Sequence, residues 1–251
     1  MTGLAAHAKT LRELHRPGDP LLLPNAWDAA TARLVAEAGF PVVATTSHSI
    51  SQSLGFADGE QTPAVQMLAA VRRIARAVDL PVTADLESGY GLAADELVAG
   101  LLEAGVVGLN FEDTDHGNGG LRDPAAQAVR IAGIREAAEA AGVPVVINAR
   151  VDVFHDTTED GPTREQFTDG VERAKRYRDA GADCVYPILL ADRAMIGEFV
   201  TAVDCPVNVT LRAIAPPPAE LAELGVARIS LATGLMRAAQ EAVRARLAEL
   251  R

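Results

Sequence analysis

Acidic side chains gather at two points of the chain. Ala84-Asp85-Leu86-Glu87 ends one apolar run, Asn110-Phe111-Glu112-Asp113 ends the next, and Asp58 and Glu60 precede both. If the runs are strands, a side-chain period of two turns Asp85 and Glu87 to the same side. Carboxylates converging in this way repel one another unless a cation lies among them. Oxygen ligands suit Mg²⁺ or Mn²⁺ better than zinc. A solvated acidic rim is the alternative for any one of them; Asp85, Glu87 and Glu112 taken jointly, at adjacent strand ends, point to metal. The opposite charge comes from Ile147-Asn148-Ala149-Arg150-Val151-Asp152. An Arg in so apolar a run is costly unless it meets an anion, and its fork suits a carboxylate or phosphonyl group. An ion pair with Asp152 or the acidic cluster is the competing explanation. Asn208, polar in the apolar run Pro206-Val207-Asn208-Val209, either reaches substrate or is a satisfied core amide. His48 and His116 fall in long connections and could move protons or simply be exposed. Gly89-Tyr90-Gly91 and Gly117-Asn118-Gly119-Gly120 lack the spacing and Lys of a nucleotide-binding loop.

The elements that must carry these residues follow a repeated phrase. A helical stretch closes on Ala-Gly or a similar pair, as at Ala38-Gly39, Ala104-Gly105, Ala141-Gly142, Ala180-Gly181 and Leu224-Gly225, and a β-branched run begins soon after. Gly supplies the left-handed cap, and a continuous apolar run reads as a buried parallel strand. Eight strands are expected, at 21–23, 42–47, 82–87, 108–112, 145–152, 184–189, 207–210 and 228–233. Eight βα units in one 251-residue chain is the arithmetic of an α/β fold closed as a (β/α)₈ barrel. One domain spanning 1–251 is expected, with an extra N-terminal helix through His15 over the barrel floor. The connections at 48–62, 113–123 and 153–162 are long and follow strands, which places chemistry at the strands' carboxyl ends.

Composition narrows the class. A formal net charge of −11 and 4% aromatic residues argue against nucleic acid or an anionic membrane as partner. Cys184 and Cys205 are too few for a disulfide framework and read as buried thiols in a reducing compartment. The opening MTGLAAHAKTLRELHR lacks a signal-length apolar stretch, and no run is long enough to span a bilayer. A cytoplasmic protein is expected.

Five segments, Pro24-Asn25-Ala26-Trp27-Asp28-Ala29-Ala30, Leu54-Gly55-Phe56-Ala57-Asp58-Gly59-Glu60, Ala84-Asp85-Leu86-Glu87-Ser88-Gly89-Tyr90-Gly91, Asn110-Phe111-Glu112-Asp113 and Ala149-Arg150-Val151-Asp152, resemble the isocitrate lyase/phosphoenolpyruvate mutase superfamily. They occur in that family's order and span most of the chain. The resemblance implies a (β/α)₈ barrel whose last helix swaps onto a neighbour, giving dimers that pair into tetramers. It implies Mg²⁺ held by Asp85 with Glu87, Glu112 and Asp58, mostly through water. The substrate would be a small α-oxo or α-hydroxy acid, bound near Ser47, Arg150, Asn208 and Trp27, with Arg150, Asp58 and His116 as the catalytic set. The expected reaction makes or breaks the bond beside the carbonyl through a metal-stabilised enolate, as a carbon–carbon lyase or oxo-acid hydrolase or decarboxylase. A phosphonomutase or phosphonopyruvate hydrolase is the second expectation, and an idle metabolite-binding relative the third. Three departures bear on the choice. The lid Thr114-Asp115-His116-Gly117-Asn118-Gly119-Gly120-Leu121 has neither the Cys of the family's lyases nor the Lys of its phosphonate enzymes. Ile188 stands where the lyases place a Glu. Glu87 replaces the usual Asp. Isocitrate lyase itself is therefore not expected.

Overall fold

Short runs rich in Val, Ile and Ala bury nearly every position, so both faces of the strands they form must be covered, as in parallel sheets packed between helices. The computed structural model describes residues 3–155 and 161–251. In chain order these hold α1 (Gly3–Glu13), β1 (Leu21–Leu23), β2 (Asn25–Ala26), α2 (Ala29–Glu37), β3 (Val43–Thr45), α3 (Ser47–Leu54), α4 (Ala64–Ala75), β4 (Val82–Asp85) and α5 (Ala94–Glu103). There follow β5 (Gly108–Glu112), α6 (Pro124–Ala140), β6 (Val146–Val151), a 3₁₀ turn (Asp152–Phe154), α7 (Arg164–Asp179), β7 (Cys184–Pro187), α8 (Arg193–Val203), β8 (Asn208–Thr210), α9 (Pro218–Glu223), β9 (Arg228–Ser230) and α10 (Gly234–Glu249).

Strands β2 to β7 form a six-stranded parallel sheet in chain order, and β1, β9 and β8 form a second parallel sheet. The first expected strand, 21–23, is β1 of the second sheet; Pro24, which has no N–H to give a ladder, separates it from β2, two further residues that open the first. A bridge between Val185 and Val207 joins the other side. The neighbour order is that of a TIM-like barrel. Register sets Asp85 beside Asn110, Asn110 beside Asn148, Glu112 beside Arg150 and Arg150 beside Tyr186. The carboxyl ends of β4, β5 and β6 thus come together.

Helix α1 covers the opposite end. Arg12 donates to the carbonyls of Pro144 and Val145 and pairs with Asp183 at 2.8 Å, while Leu11 is buried against Gly108. Several expected boundaries move. The 82–87 strand stops at Asp85, and Glu87 has φ +49°, so its side chain reaches the site from a turn and not from a pleat. The 42–47 strand stops at Thr45, and half of the expected 48–62 loop is helix α3, closed by Gly55 at φ +87°. Ser47, Ser49, Ile50 and Ser51 are buried in that helix, so three of its four enclosed side chains are serines. The 184–189 and 228–233 strands are shortened to β7 and β9, and Leu189 and Ala232 turn left-handed just beyond them. Within the 153–162 connection, residues 156–160 lie outside the described residues.

Candidate active site

The carboxyl ends of β4, β5 and β6 open on a cavity of about 330 Å³, lined among others by Ser47, Asp58, Glu87, Glu112, His116 and Arg150. A larger surface groove between α4 and α5 holds none of the candidate residues. Every strand-end acid here is buried. Asp85 Oδ2 accepts from the Ser47 amide at 3.0 Å and its hydroxyl at 2.8 Å, which Ser47 offers as the first residue of α3. Glu87 Oε2 accepts from the Glu60 amide at 2.6 Å and Oε1 from the Tyr90 hydroxyl at 2.7 Å. Glu60 in turn accepts from the Tyr90 amide and the Ser88 hydroxyl. The residues that shape this loop, Glu60, Glu87 and Tyr90, all have positive φ, a strained geometry held by the hydrogen bonds just named.

Glu112 lies between a base and a cation. His116 Nε2 is 2.6 Å from its Oε1, and Arg150 Nη1 is 2.6 Å from its Oε2. Arg150 also grips Asp152 with two parallel bonds of 2.6 and 2.7 Å. Asp152 is fixed from behind, since its amide donates to Asp113, and Asp113 accepts from Tyr177 and Arg173. Burial pushes the Glu112 carboxyl up, with Arg150 and the His116 bond pulling the other way. Burial also raises Glu87, reinforced by the charge of Asp85. The bond to Glu112 lifts the His116 imidazole. Glu112 and His116 are thus two adjoining groups, 2.6 Å apart, that both bind a proton more readily than usual.

Three ligand atoms, one each from Glu87, Glu112 and His116, lie within 4.8 Å of one another. Two crowded, desolvated carboxylates with raised affinity for protons are what a hard dication would relieve, so the donor set fits Mg²⁺. The imidazole is the member that Mn²⁺ accepts more readily than Mg²⁺. The compact set is not the expected Asp85, Glu87, Glu112 and Asp58. Asp85 Oδ2 is turned to Ser47, and half-exposed Asp58 is bonded to His48 at 3.1 Å.

The remaining expected residues separate. Arg150 lines the cavity, but all its described contacts go to Asp152 and Glu112, the ion-pair alternative. Asn208 is fully buried inside the strands, with neither amide atom bonded to a described residue. Trp27 lies in a shallow surface groove against α10. Asn118 is tied to Asp115 in its own turn. Sequence reasoning passed over Tyr90, Asn110, Asp113, Tyr177 and Arg228. The signal that singled out Asn208, a polar residue in an apolar run, applied equally to Asn110 and Arg228. Nothing comparable marked Tyr177, which belongs to an ordinary amphipathic helix.

A family model described as phosphoenolpyruvate phosphomutase matches residues 11–251. The chain is similar to a crystallised candidate phosphonomutase from Burkholderia cenocepacia J2315, with 41% identity, coverage of 99% of this chain and 100% of that one, and a TM-score of 0.94. It is similar to a candidate 2-methylisocitrate lyase of Corynebacterium glutamicum, 30% identical over 79% of this chain and 64% of that protein. The crystal structure of a 2,3-dimethylmalate lyase superposes with a TM-score of 0.84 at 25% identity, over 97% of this chain and 87% of that one.

Proposed function

The chain belongs to the isocitrate lyase/phosphoenolpyruvate mutase family, whose members are lyases and mutases, and on that footing we propose that it is a Mg²⁺-dependent (β/α)₈-barrel lyase that cleaves the carbon–carbon bond beside the carbonyl of a small oxo- or hydroxy-acid. The observation that carries this reading is Glu112, placed between His116 and Arg150 at 2.6 Å from each, beside Glu87. Glu87 and Glu112 of the compact set would hold the metal, joined by Asp85 through Oδ1, the oxygen that Ser47 leaves open. Bound there, Mg²⁺ supplies Lewis-acid stabilisation of a developing enolate oxygen. Arg150 adds fixed positive charge where negative charge grows, held in place by Asp152 and Asp113. His116 holds a proton at Nε2 at the cavity wall and can return it to carbon. The glycine-rich segment 117–120 excludes water when it closes.

Phosphonate chemistry is the second reading, favoured by the 41% identity to the Burkholderia protein. Against it stand a lid without Lys and an Asn118 already committed to Asp115. Helix α10 has no buried residue and exposes Val243 and Leu247, with Leu250 exposed just past its end, which fits exchange with a neighbouring subunit in a dimer or tetramer. Two experiments test the reading. Saturating Mg²⁺ at a hundredfold excess over its dissociation constant should stabilise the fold by about 2.7 kcal/mol. A melt that overlays the EDTA melt removes the metal site. Malate derivatives, oxo-acids and phosphonates are then assayed for pyruvate, oxalate or glyoxylate. Turnover of phosphonates alone reverses the order of the two readings, and turnover of none leaves a binding protein.

A further inference from the structure

Among the described residues Arg228 is the largest side chain fully enclosed by the fold. It points inward from β9, level with Asn208 on β8 and Leu21 on β1. TIM-type interiors are mostly packed with branched apolar residues, and a guanidinium there stays charged. Among the described residues Arg228 forms no ion pair. The one hydrogen bond its guanidinium makes to a described residue runs from Nη2 to Asn110 Oδ1 at 3.1 Å, where Asn148 Nδ2 also donates at 2.8 Å. Two donors on one amide oxygen fix which way Asn110 faces, since a flip would set its N–H groups against a cation. Asn110 Nδ2 is thereby aimed at Asp85 Oδ1, 3.4 Å away, the only hydrogen bond that oxygen accepts from a described residue. Asp85 is also the carboxylate whose charge reaches Arg228.

Charge supports the same connection. Asp85, Glu87, Glu112 and Asp152 are buried near the cavity, and Arg150, in contact with Glu112 and Asp152, offsets one of their four negative charges. Arg228 and a dication together balance the remainder, so an additional anion beside Arg228 would leave the interior negative. We infer that Arg228 and Asn110 are positioning residues for metal binding: the buried guanidinium locks the Asn110 amide, which holds the Asp85 carboxylate with one oxygen presented to the cation. This rests on the proposal that Asp85 is a metal ligand.

The test is Mn²⁺ alone, titrated into the full chain, with thermal melts in EDTA run alongside. Arg228→Met removes the charge but keeps the volume, so the EDTA melt should stay within a few degrees of wild type or rise. The Mn²⁺ dissociation constant should increase by about tenfold or more, the usual effect of removing a residue that orients a ligand. Arg228→Lys should recover part of that loss. Asn110→Leu should weaken Mn²⁺ to the same degree, and Arg228→Met with Asn110→Leu no further than either alone. A wild-type Mn²⁺ constant in Arg228→Met overturns the inference; if that variant does not fold, a wild-type constant in Asn110→Leu does so. Asp85→Ala tells the two ideas apart: undiminished Mn²⁺ binding there defeats the metal assignment itself, whatever Arg228 does.

Discussion

Arg150 shows how much a single side chain can be asked to hold. Its fork takes Asp152 on one edge and Glu112 on the other, and its own side chain is 14% exposed. A Lys would keep the charge but could not make both contacts, and charge-assisted bonds contribute about 1.5–3 kcal/mol each. Arg150→Lys should fold, with kcat/KM on any active oxo-acid reduced by roughly a hundredfold, the kinetic equivalent of losing one or two such bonds. Wild-type kinetics would show that the ion pairs are only structural. His15 makes the opposite case, a titratable group far from the cavity. Its Nδ1 donates to the Leu11 carbonyl, and burial near Arg228 pushes the imidazole down to about 4. The folded protein disfavours that proton while the unfolded chain takes it up from about pH 6.5. The neutral ring's full contribution is therefore present above about pH 6.5 and is lost as pH falls towards 4, at up to about 1.4 kcal/mol per pH unit. His15→Gln should flatten the loss of thermal stability between pH 7 and pH 5, and parallel wild-type and variant profiles would rule this out.

The same floor ties elements together. A Cβ on Gly108 would sit 2.7 Å from Leu11 Cδ2 and 3.0 Å from Thr83 Oγ1, so β5 carries Gly where α1 crosses it. Gly108→Ala should cost about 1–3 kcal/mol by overpacking, measured as a lower denaturant midpoint, with Leu11→Ala in the same chain recovering part of it. No recovery would mean that the strain lies elsewhere. Elements with strong periodicity were legible: the Ala-Gly caps and β-branched runs located every strand that bears a candidate residue. Helix α3 was not, because its buried residues are Ser47, Ser49, Ile50 and Ser51, and serines carry no hydrophobic signal. The end of β4 was misplaced for a related reason. Asp85 and Glu87 alternate as strand residues do, but Glu87 adopts φ +49° to receive the Glu60 amide, a contact from 27 residues away.

For the molecule as a whole, the lid limits the chemistry. Cleaving isocitrate or 2-methylisocitrate leaves an enolate that needs a proton on a defined face, and residues 113–123 contain no thiol. His116 can deliver a proton, but from within a bond to Glu112 at the cavity wall, and Ile188 offers no partner to a third carboxylate. A general acid out of position forfeits much of the roughly 10²–10⁴-fold that such a group contributes. Neither tricarboxylate should turn over near the common enzyme median of about 10 s⁻¹ with saturating Mg²⁺, and release of glyoxylate or pyruvate at that rate would overturn this account of the lid. Family, element order and the acidic cluster were readable from the chain, because local periodicity, caps and short motifs are written in contiguous residues. Which acids face one another, that Arg150 is already paired, and that Arg228 lies beneath Asp85 were settled only by folding. Arg150 and Asp152 are two residues apart, but Arg150 meets Glu112 across 38 positions and Arg228 meets Asn110 across 118, and no local pattern encodes a meeting made by the closing of a sheet.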